Sequence, residues 1–533
     1  MTPGGIKNPV AKRWQRGTLV NSIVARRSCA GLNFLPYNQS VGGEGGIRTL
    51  GPPQEGQRFS RPPRSTAPAP LRARSGKALT LVDRECDRNW RAVRFLAWMS
   101  GANILSAKGK RTMPAIGAKR VGVIGAGMVG VCAASWLQRD GHSVFLIEAA
   151  EPGRGASFGN AGCFNGSSVT PVAMPGVIRN VPRWLFDPLG PLSLRWSYLP
   201  AITPWLIRFI RAGTPEKVRD QARALRALVG PTLEALKPLV SAAGAEDLVH
   251  HLGHLYVYRT ADGPEKDRLV WDLRRENEVE IDEFDADELR QLEPALSRDY
   301  VRGVLVRENG HTSNPLALVE RLLEHFVRSG GELVRAQARG FRLEGGRLAA
   351  VETDTGELPA DAAVVCAGAF SRPLAAALGD KVPLETERGY HLMIRDPEAM
   401  PRIPTADADG KFVATPMDTG LRFAGTVELA GLRAAPDWRR ARVLLEQGRK
   451  MLPGLATSHP EERISVWMGH RPSLPDSLPV LGPSSASPDV VYAFGHGHVG
   501  MTAAPMTGKI VADLVAGRSP SIDIAPFSPG RFA

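Results

Sequence analysis

The apolar block at residues 121–124 is short and unbroken. Residues 121–124 run Val-Gly-Val-Ile, the pattern of a parallel strand buried on both faces rather than one alternating between core and water. Gly125-Ala126-Gly127-Met128-Val129-Gly130 follows as a turn. An apolar-rich stretch then continues to Arg139, stops at Asp140-Gly141, and gives way to a second apolar run, 143–147, that ends on Glu148. This pattern predicts strand, turn, helix, strand. Further along, Leu316, Leu318, Val319, Leu322, Leu323 and Phe326 recur at helical spacing within 314–329, a strand is predicted over 332–336, and a hairpin over Gly345-Gly346. The stretch 360–371, "ADAAVVCAGAFS", reads as a buried strand running into a glycine turn at Gly368, and 476–517 reads as strand, Gly-rich turn and helix.

Composition changes the picture mainly for the front of the chain. Its 533 residues make two or three domains the prior expectation. The net charge of +13 invites a nucleic-acid reading, but 20 of the 67 Lys+Arg and 5 of the 54 Asp+Glu lie in residues 1–112, which leaves 47 against 49 in the rest. The body is nearly neutral, so no nucleic-acid partner is expected. Residues 1–112 are Gly/Pro-rich with no sustained period, a composition that buries too little apolar surface to fold. A disordered basic extension and a transit peptide both fit, but a mis-called start, with translation beginning at Met113, is the expectation. Cys29, Cys86, Cys132, Cys163 and Cys366 show neither C-x-x-C nor zinc spacing, so no metal is expected and a reducing compartment fits best. No run of about 18 apolar residues predicts a membrane span.

The turn carries chemistry. Gly125 permits its tightness, Gly127 lets backbone approach a pyrophosphate, and Gly130 lets the helix pack against the strand. Ala126, Met128 and Val129 complete the cradle, and the first helical N–H groups face the phosphates. Glu148, 23 residues after Gly125, is placed to accept ribose hydroxyls. This much does not separate NAD from FAD.

The loop "GRGASFGNAG" (153–162), "ERGYH" (387–391), "GHRPSLPDSLPVLG" (469–482) and "FGHGHVGMT" (494–502) occur in an order that resembles the D-amino-acid oxidase/glycine oxidase superfamily, and within it the D-amino-acid dehydrogenases, over roughly 118–520. Cys163-Phe164-Asn165 departs from that pattern beside the flavin. The resemblance implies an α/β fold: an FAD-binding Rossmann-like domain of glutathione-reductase type (113–170, 315–372 and 478–520), with an inserted α+β substrate domain on a mixed or antiparallel sheet (171–314 and 373–477). It implies non-covalent FAD, held further by Ser157, Asn160, Ala161, Gly162, Gly368, Gly495, His496, Gly497, Gly500, Met501 and Thr502.

The implied reaction is oxidative deamination of D-amino acids to 2-oxo acids and ammonia, with hydride passing from Cα to flavin N5 and electrons to a quinone-type acceptor. The same scaffold acting on D-hydroxyproline, D-proline, sarcosine or glycine stays open, as does a flavin-binding homologue without catalysis. Arg471 is the candidate carboxylate clamp, since a planar fork makes two charge-assisted hydrogen bonds; an interdomain salt bridge is its plainer reading. Tyr390 is a candidate second contact to the carboxylate, His391 a candidate acceptor of the amine proton, and Tyr258, alternating with Tyr256 about Val257, a candidate pocket wall. Each has an ordinary structural reading. His254 and His311 are weaker candidates, and His496 and His498 lie in a turn expected to act through its backbone. The aromatic, proline-broken stretch 183–209, flanked by Arg179, Arg183, Arg195, Arg208 and Arg211, suits either peripheral docking on the cytoplasmic face of the inner membrane, beside a quinone, or a helix pair packed on the substrate domain.

Overall fold

The computed structural model describes residues 104–105, 117–176 and 186–533. The remaining calls on the front segment, together with Arg179 and Arg183, lie outside the described residues.

A seven-stranded sheet carries the strands foreseen around the glycine turn. Its order is Ile104–Leu105, Glu332–Arg335, Ser143–Glu148, Arg120–Ile124, Ala362–Val365, Val490–Phe494 and Val480–Pro483, parallel except for the outermost strand on each side. Burial on both faces explains the unbroken apolar runs. Val123 and Leu146 point into a core completed by Val131 and Leu137 of the helix Met128–Arg139, Leu318 and Leu322 of Pro315–Arg328, and Ile510 of Gly500–Val515. Their neighbours Ile124, Phe145 and Ile147 point the other way, onto Leu348 and Val351. Those two belong to a three-stranded antiparallel sheet, Ala338–Glu344, Arg347–Thr353 and Gly356–Pro359, whose first hairpin turns at Gly345-Gly346. The helix Pro315–Arg328 starts where local chemistry places it: the Asn314 side chain accepts from the Ala317 N–H at 3.1 Å and Pro315 occupies the first turn.

The second sheet has nine strands, with Ile464–Ser473, Glu385–Ile394, Gly420–Leu429, Phe412–Met417, Thr405–Asp407, His254–Tyr258, Arg302–Val306 and Asp282–Phe284 in line, and Leu192–Leu194 beside Gly420–Leu429. Most pairs are antiparallel; two are parallel. The helix Arg439–Met451 covers part of it, burying Leu444, Leu445 and Met451 against Leu392 and Phe423.

The 183–209 stretch divides its aromatics. The helix Leu199–Ala212 buries Ile202, Trp205 and Phe209 with Leu194 and Leu429, and Trp205 stacks on Phe209 at 5.1 Å. Phe186 and Trp196 meet edge to face at 5.5 Å and are 75% and 55% exposed. Among the described residues no helix is long and apolar enough to cross a membrane.

Candidate active site

A cavity of about 1760 Å³ runs from the glycine turn to the second sheet. At the turn, the need for glycine is geometric. Gly125 has φ +105°, and a Cβ there would lie 2.6 Å from the Cys366 carbonyl oxygen; a Cβ on Gly130 would lie 1.8 Å from the Gly125 carbonyl oxygen. Gly127, Met128 and Val129 line the cavity, and Ser157 Oγ accepts from the Met128 N–H at 2.9 Å. Glu148 lines it too, its carboxylate accepting from the N–H groups of Ala126 (2.8 Å) and Ala150 (2.9 Å).

The 153–162 loop continues the wall through Ser157, Asn160 and Ala161. It is anchored by a side chain the sequence did not single out. Arg422 is buried and donates to the carbonyls of Phe158 (3.1 Å) and Asn160, while its Nε has no partner; burial brings its pKa down to about 10. Asn160 itself accepts from the Gly162 N–H at 2.8 Å. Gly368, His496, Gly497, Gly500, Met501 and Thr502 line the cavity as well, whereas Ala126, Gly130, Gly162 and Gly495 stand just behind it. His496 is buried, with Nε2 3.0 Å from Thr507 Oγ1.

On the second sheet, Glu385–Ile394 and Ile464–Ser473 pair so that Gly389 faces Gly469 and Glu387 faces Arg471. The two glycines leave a patch of bare sheet. A Cβ on Gly389 would lie 2.3 Å from the Arg471 guanidinium carbon, and one on Gly469 would lie 1.9 Å from the Trp467 ring. Arg471 and Trp467 therefore lie flat across the backbone, and both line the cavity. Among the described residues Arg471 makes one hydrogen bond, to the Thr426 carbonyl at 3.4 Å, which leaves most of its donors without a protein partner. Burial lowers its pKa and Glu387 opposes that shift.

The other candidates have partners of their own in the fold. Tyr390 contributes to the cavity wall, but its hydroxyl donates to Glu428 Oε2 at 2.6 Å and accepts from the Asp437 N–H at 3.0 Å; burial, then Glu428, pushes its pKa up to about 12. Arg388 is fully buried and donates to the carbonyls of Gly431, Ala434 and Ala435, with Glu428 3.5 Å away. His391 is outside the cavity lining: it stacks on Trp467 at 5.2 Å, its Nδ1 lies 3.1 Å from the Gly159 carbonyl, and burial lowers its pKa to about 3. Tyr258 lines the cavity, with Trp271 Nε1 donating to its hydroxyl at 2.8 Å. Arg274, also in the lining, lies over the Tyr256 and Trp271 rings at 4.8 and 4.5 Å. His254 places Nδ1 2.9 Å from Asn165 Oδ1, and burial lowers its pKa to about 3; His311, also buried, is lowered to about 4.

Glu387 stands out among the residues the sequence reading passed over. It is buried, accepts from Ser473 Oγ at 2.7 Å, and lies 2.6 Å from His498 Nε2. Burial alone would raise its pKa; His498, Ser473 and Arg471 outweigh that and hold it below the ordinary carboxylate value. The available signal was an acid set within an otherwise buried strand, "ETERGYHLMI".

Comparison with known proteins completes the assignment. The profile of the FAD dependent oxidoreductase family, DAO, matches residues 120–514. The chain belongs to this family. A D-amino-acid oxidase of Bradyrhizobium diazoefficiens is 48% identical over 397 residues, covering 74% of this chain and 94% of that protein. D-amino acid dehydrogenase 2 of Ralstonia nicotianae is 32% identical, covering 74% and 96%. In fold the chain resembles glycine oxidase from Geobacillus kaustophilus, at TM-score 0.58 and 20% identity, over 77% of this chain and 98% of that one. Family membership makes FAD the cofactor, and the residues fit it. The glycine cradle that a Cβ would fill, the helix N-terminus at Met128 and the Glu148 carboxylate would hold its ADP half. The volume exceeds the roughly 300–1,000 Å³ of an ordinary ligand pocket, as a dinucleotide and a substrate together require.

Proposed function

We propose that the enzyme oxidises D-amino acids to 2-oxo acids and ammonia. The observation that carries this reading is the Arg471 guanidinium, laid across Gly389 in the wall of the cavity that begins at the glycine turn, with most of its donors unspent on protein partners. Names of relatives that cover nearly their whole length support the substrate class. Bound FAD supplies the two-electron acceptor for the substrate Cα hydrogen.

The protein's part is to bind and orient. Arg471 grips the carboxylate in a plane, and the bare Gly389–Gly469 patch lets the amino acid lie close to the sheet with Trp467 at its side. No base beside Arg471 is required if the amine enters neutral, so Tyr390 and His391 act through the framework: Tyr390 ties the strand to Glu428 and Asp437, and His391 supports Trp467 and Gly159. The imine product then hydrolyses in water. Anaerobic addition of D-alanine to the yellow protein is expected to bleach the flavin, and L-alanine to leave it oxidised. Faster bleaching by D-proline, D-hydroxyproline or sarcosine than by any primary D-amino acid would move the assignment to a cyclic or N-substituted amine, and fastest bleaching by glycine would move it to glycine itself.

For the acceptor, our reading is a quinone reached from the membrane surface. The exposed Phe186–Trp196 pair supports peripheral docking on the cytoplasmic face of the inner membrane. Molecular oxygen is a second reading, favoured by the name of the 48% identical relative. Oxygen uptake measured against reduction of a soluble quinone, with the same substrate, distinguishes them.

A further inference from the structure

The cross-strand pair of Glu387 and Arg471 holds an unusual arrangement. Directly opposed side chains on neighbouring antiparallel strands stand about 5 Å apart at Cβ, within reach of an ion pair, and an opposite-charge pair there is favourable. Here no ion pair joins the two, although Glu387 is buried and Arg471 has donors to spare. Both carboxylate oxygens of Glu387 are otherwise engaged. Ser473 Oγ donates to Oε1 at 2.7 Å, and His498 Nε2, which must carry hydrogen to meet a carboxylate, donates to Oε2 at 2.6 Å. Ser473 lies on the same strand as Arg471, two residues on, and His498 lies in the glycine-rich turn before the helix Gly500–Val515. One restraint therefore comes from the clamp's own strand and the other from the cofactor side of the cavity.

We infer that Ser473 and His498 are positioning residues that hold Glu387 away from Arg471, so that the guanidinium stays available to the substrate carboxylate. This rests on the role proposed for Arg471. A buried carboxylate with no other partner would take the guanidinium and compete with any ligand carboxylate for it. With Glu387 saturated, the clamp stays open and the buried region still holds a negative charge to balance it.

The test uses the FAD-loaded protein and two readouts: the KM and kcat for D-alanine, and the dissociation constant of acetate from its perturbation of the flavin absorption band. His498→Ala is expected to raise the D-alanine KM and the acetate dissociation constant by about tenfold, with the change carried by KM rather than kcat. Ser473→Ala, which leaves the cofactor turn intact, is expected to act in the same direction by about threefold, and serves if His498→Ala fails to retain FAD. Glu387→Gln removes the competitor, and is expected to bring His498→Ala/Glu387→Gln and Ser473→Ala/Glu387→Gln back to or below the wild-type values. A general loss of packing would not be rescued in this way.

Double variants that bind acetate as poorly as their single parents would overturn the proposal. So would a His498→Ala variant that loses kcat at unchanged KM, or a wild-type protein whose flavin does not respond to acetate. If no D-amino acid bleaches the wild-type flavin, the substrate assignment fails on its own, and the acetate series still decides what Ser473 and His498 do.

Discussion

The two walls of the cavity use glycine for opposite purposes. At the nucleotide end, Gly125 and Gly130 let backbone approach backbone. On the second sheet, Gly389 and Gly469 clear a surface so that Arg471 and Trp467 can lie on it. The first wall depends on a turn whose shape is local. The second depends on a register between strands about 80 residues apart in sequence, and on the charges that register brings together.

Substitutions can test how different the two walls are. Gly130→Ala is expected to have the largest effect: its Cβ meets the Gly125 carbonyl, which cannot rotate away, so the protein should purify without flavin absorbance and lose more than about 3 kcal/mol of stability in urea. Arg471→Ala should keep its flavin and lose about 1000-fold in kcat/KM for D-alanine, roughly 4 kcal/mol of carboxylate recognition. Gly389→Ala leaves Arg471 in the chain but fills its resting place, and about 100-fold is expected in the same assay, again with flavin retained. A flavin-free Gly389→Ala protein would erase the distinction between the walls.

A separate effect concerns pH. Burial lowers the pKa of His254 and His391 to about 3 and of His311 and His496 to about 4, so all four are neutral in the fold and titrate near 6.5 when unfolded. Between those values the unfolded chain binds more protons. Stability is therefore full above about pH 6.5 and falls as pH drops below it, by up to ~1.4 kcal/mol per pH unit for each histidine. Urea midpoints measured from pH 7 to 5 should decline steadily; a flat profile would mean that these rings are not buried neutral. Smallest of all, Tyr390→Phe removes a hydroxyl held by Glu428 and Asp437: about 1–2 kcal/mol of stability should be lost, with the D-alanine KM moving less than about threefold. A tenfold rise in KM would return Tyr390 to direct contact with the substrate.

The contrast also explains what could be read from the sequence. The nucleotide end is a series of local statements: an unbroken apolar run, glycines at fixed spacing, a helical period, an acid at the end of the second strand. Each was visible, and the strands fell within a residue or two of their expected places. On the second sheet the residue types were visible but their partners were not. Arg388 and Arg471 look equally suited to grip a carboxylate, yet Arg388 is spent on the carbonyls of 431–435. Tyr390 is occupied by Glu428, 38 residues away, and Glu387 by His498, 111 residues away. Arg422, which fastens the 153–162 loop from more than 260 residues away, carries no local mark at all.

The strand order of the seven-stranded sheet bears on how the protein is made. Arg120–Ile124 holds the centre, but its neighbour Ala362–Val365 is translated some 240 residues later, and the next strand ends at Phe494. At elongation rates of about 5–20 residues per second, the central strand waits tens of seconds with one apolar edge unpaired. Pairings of such long sequence separation are slow to form even once the chain is complete. The glycine turn proposed to cradle the cofactor thus emerges early from the ribosome and gains its full surroundings late, a period in which chaperones rather than FAD would shield the nascent chain.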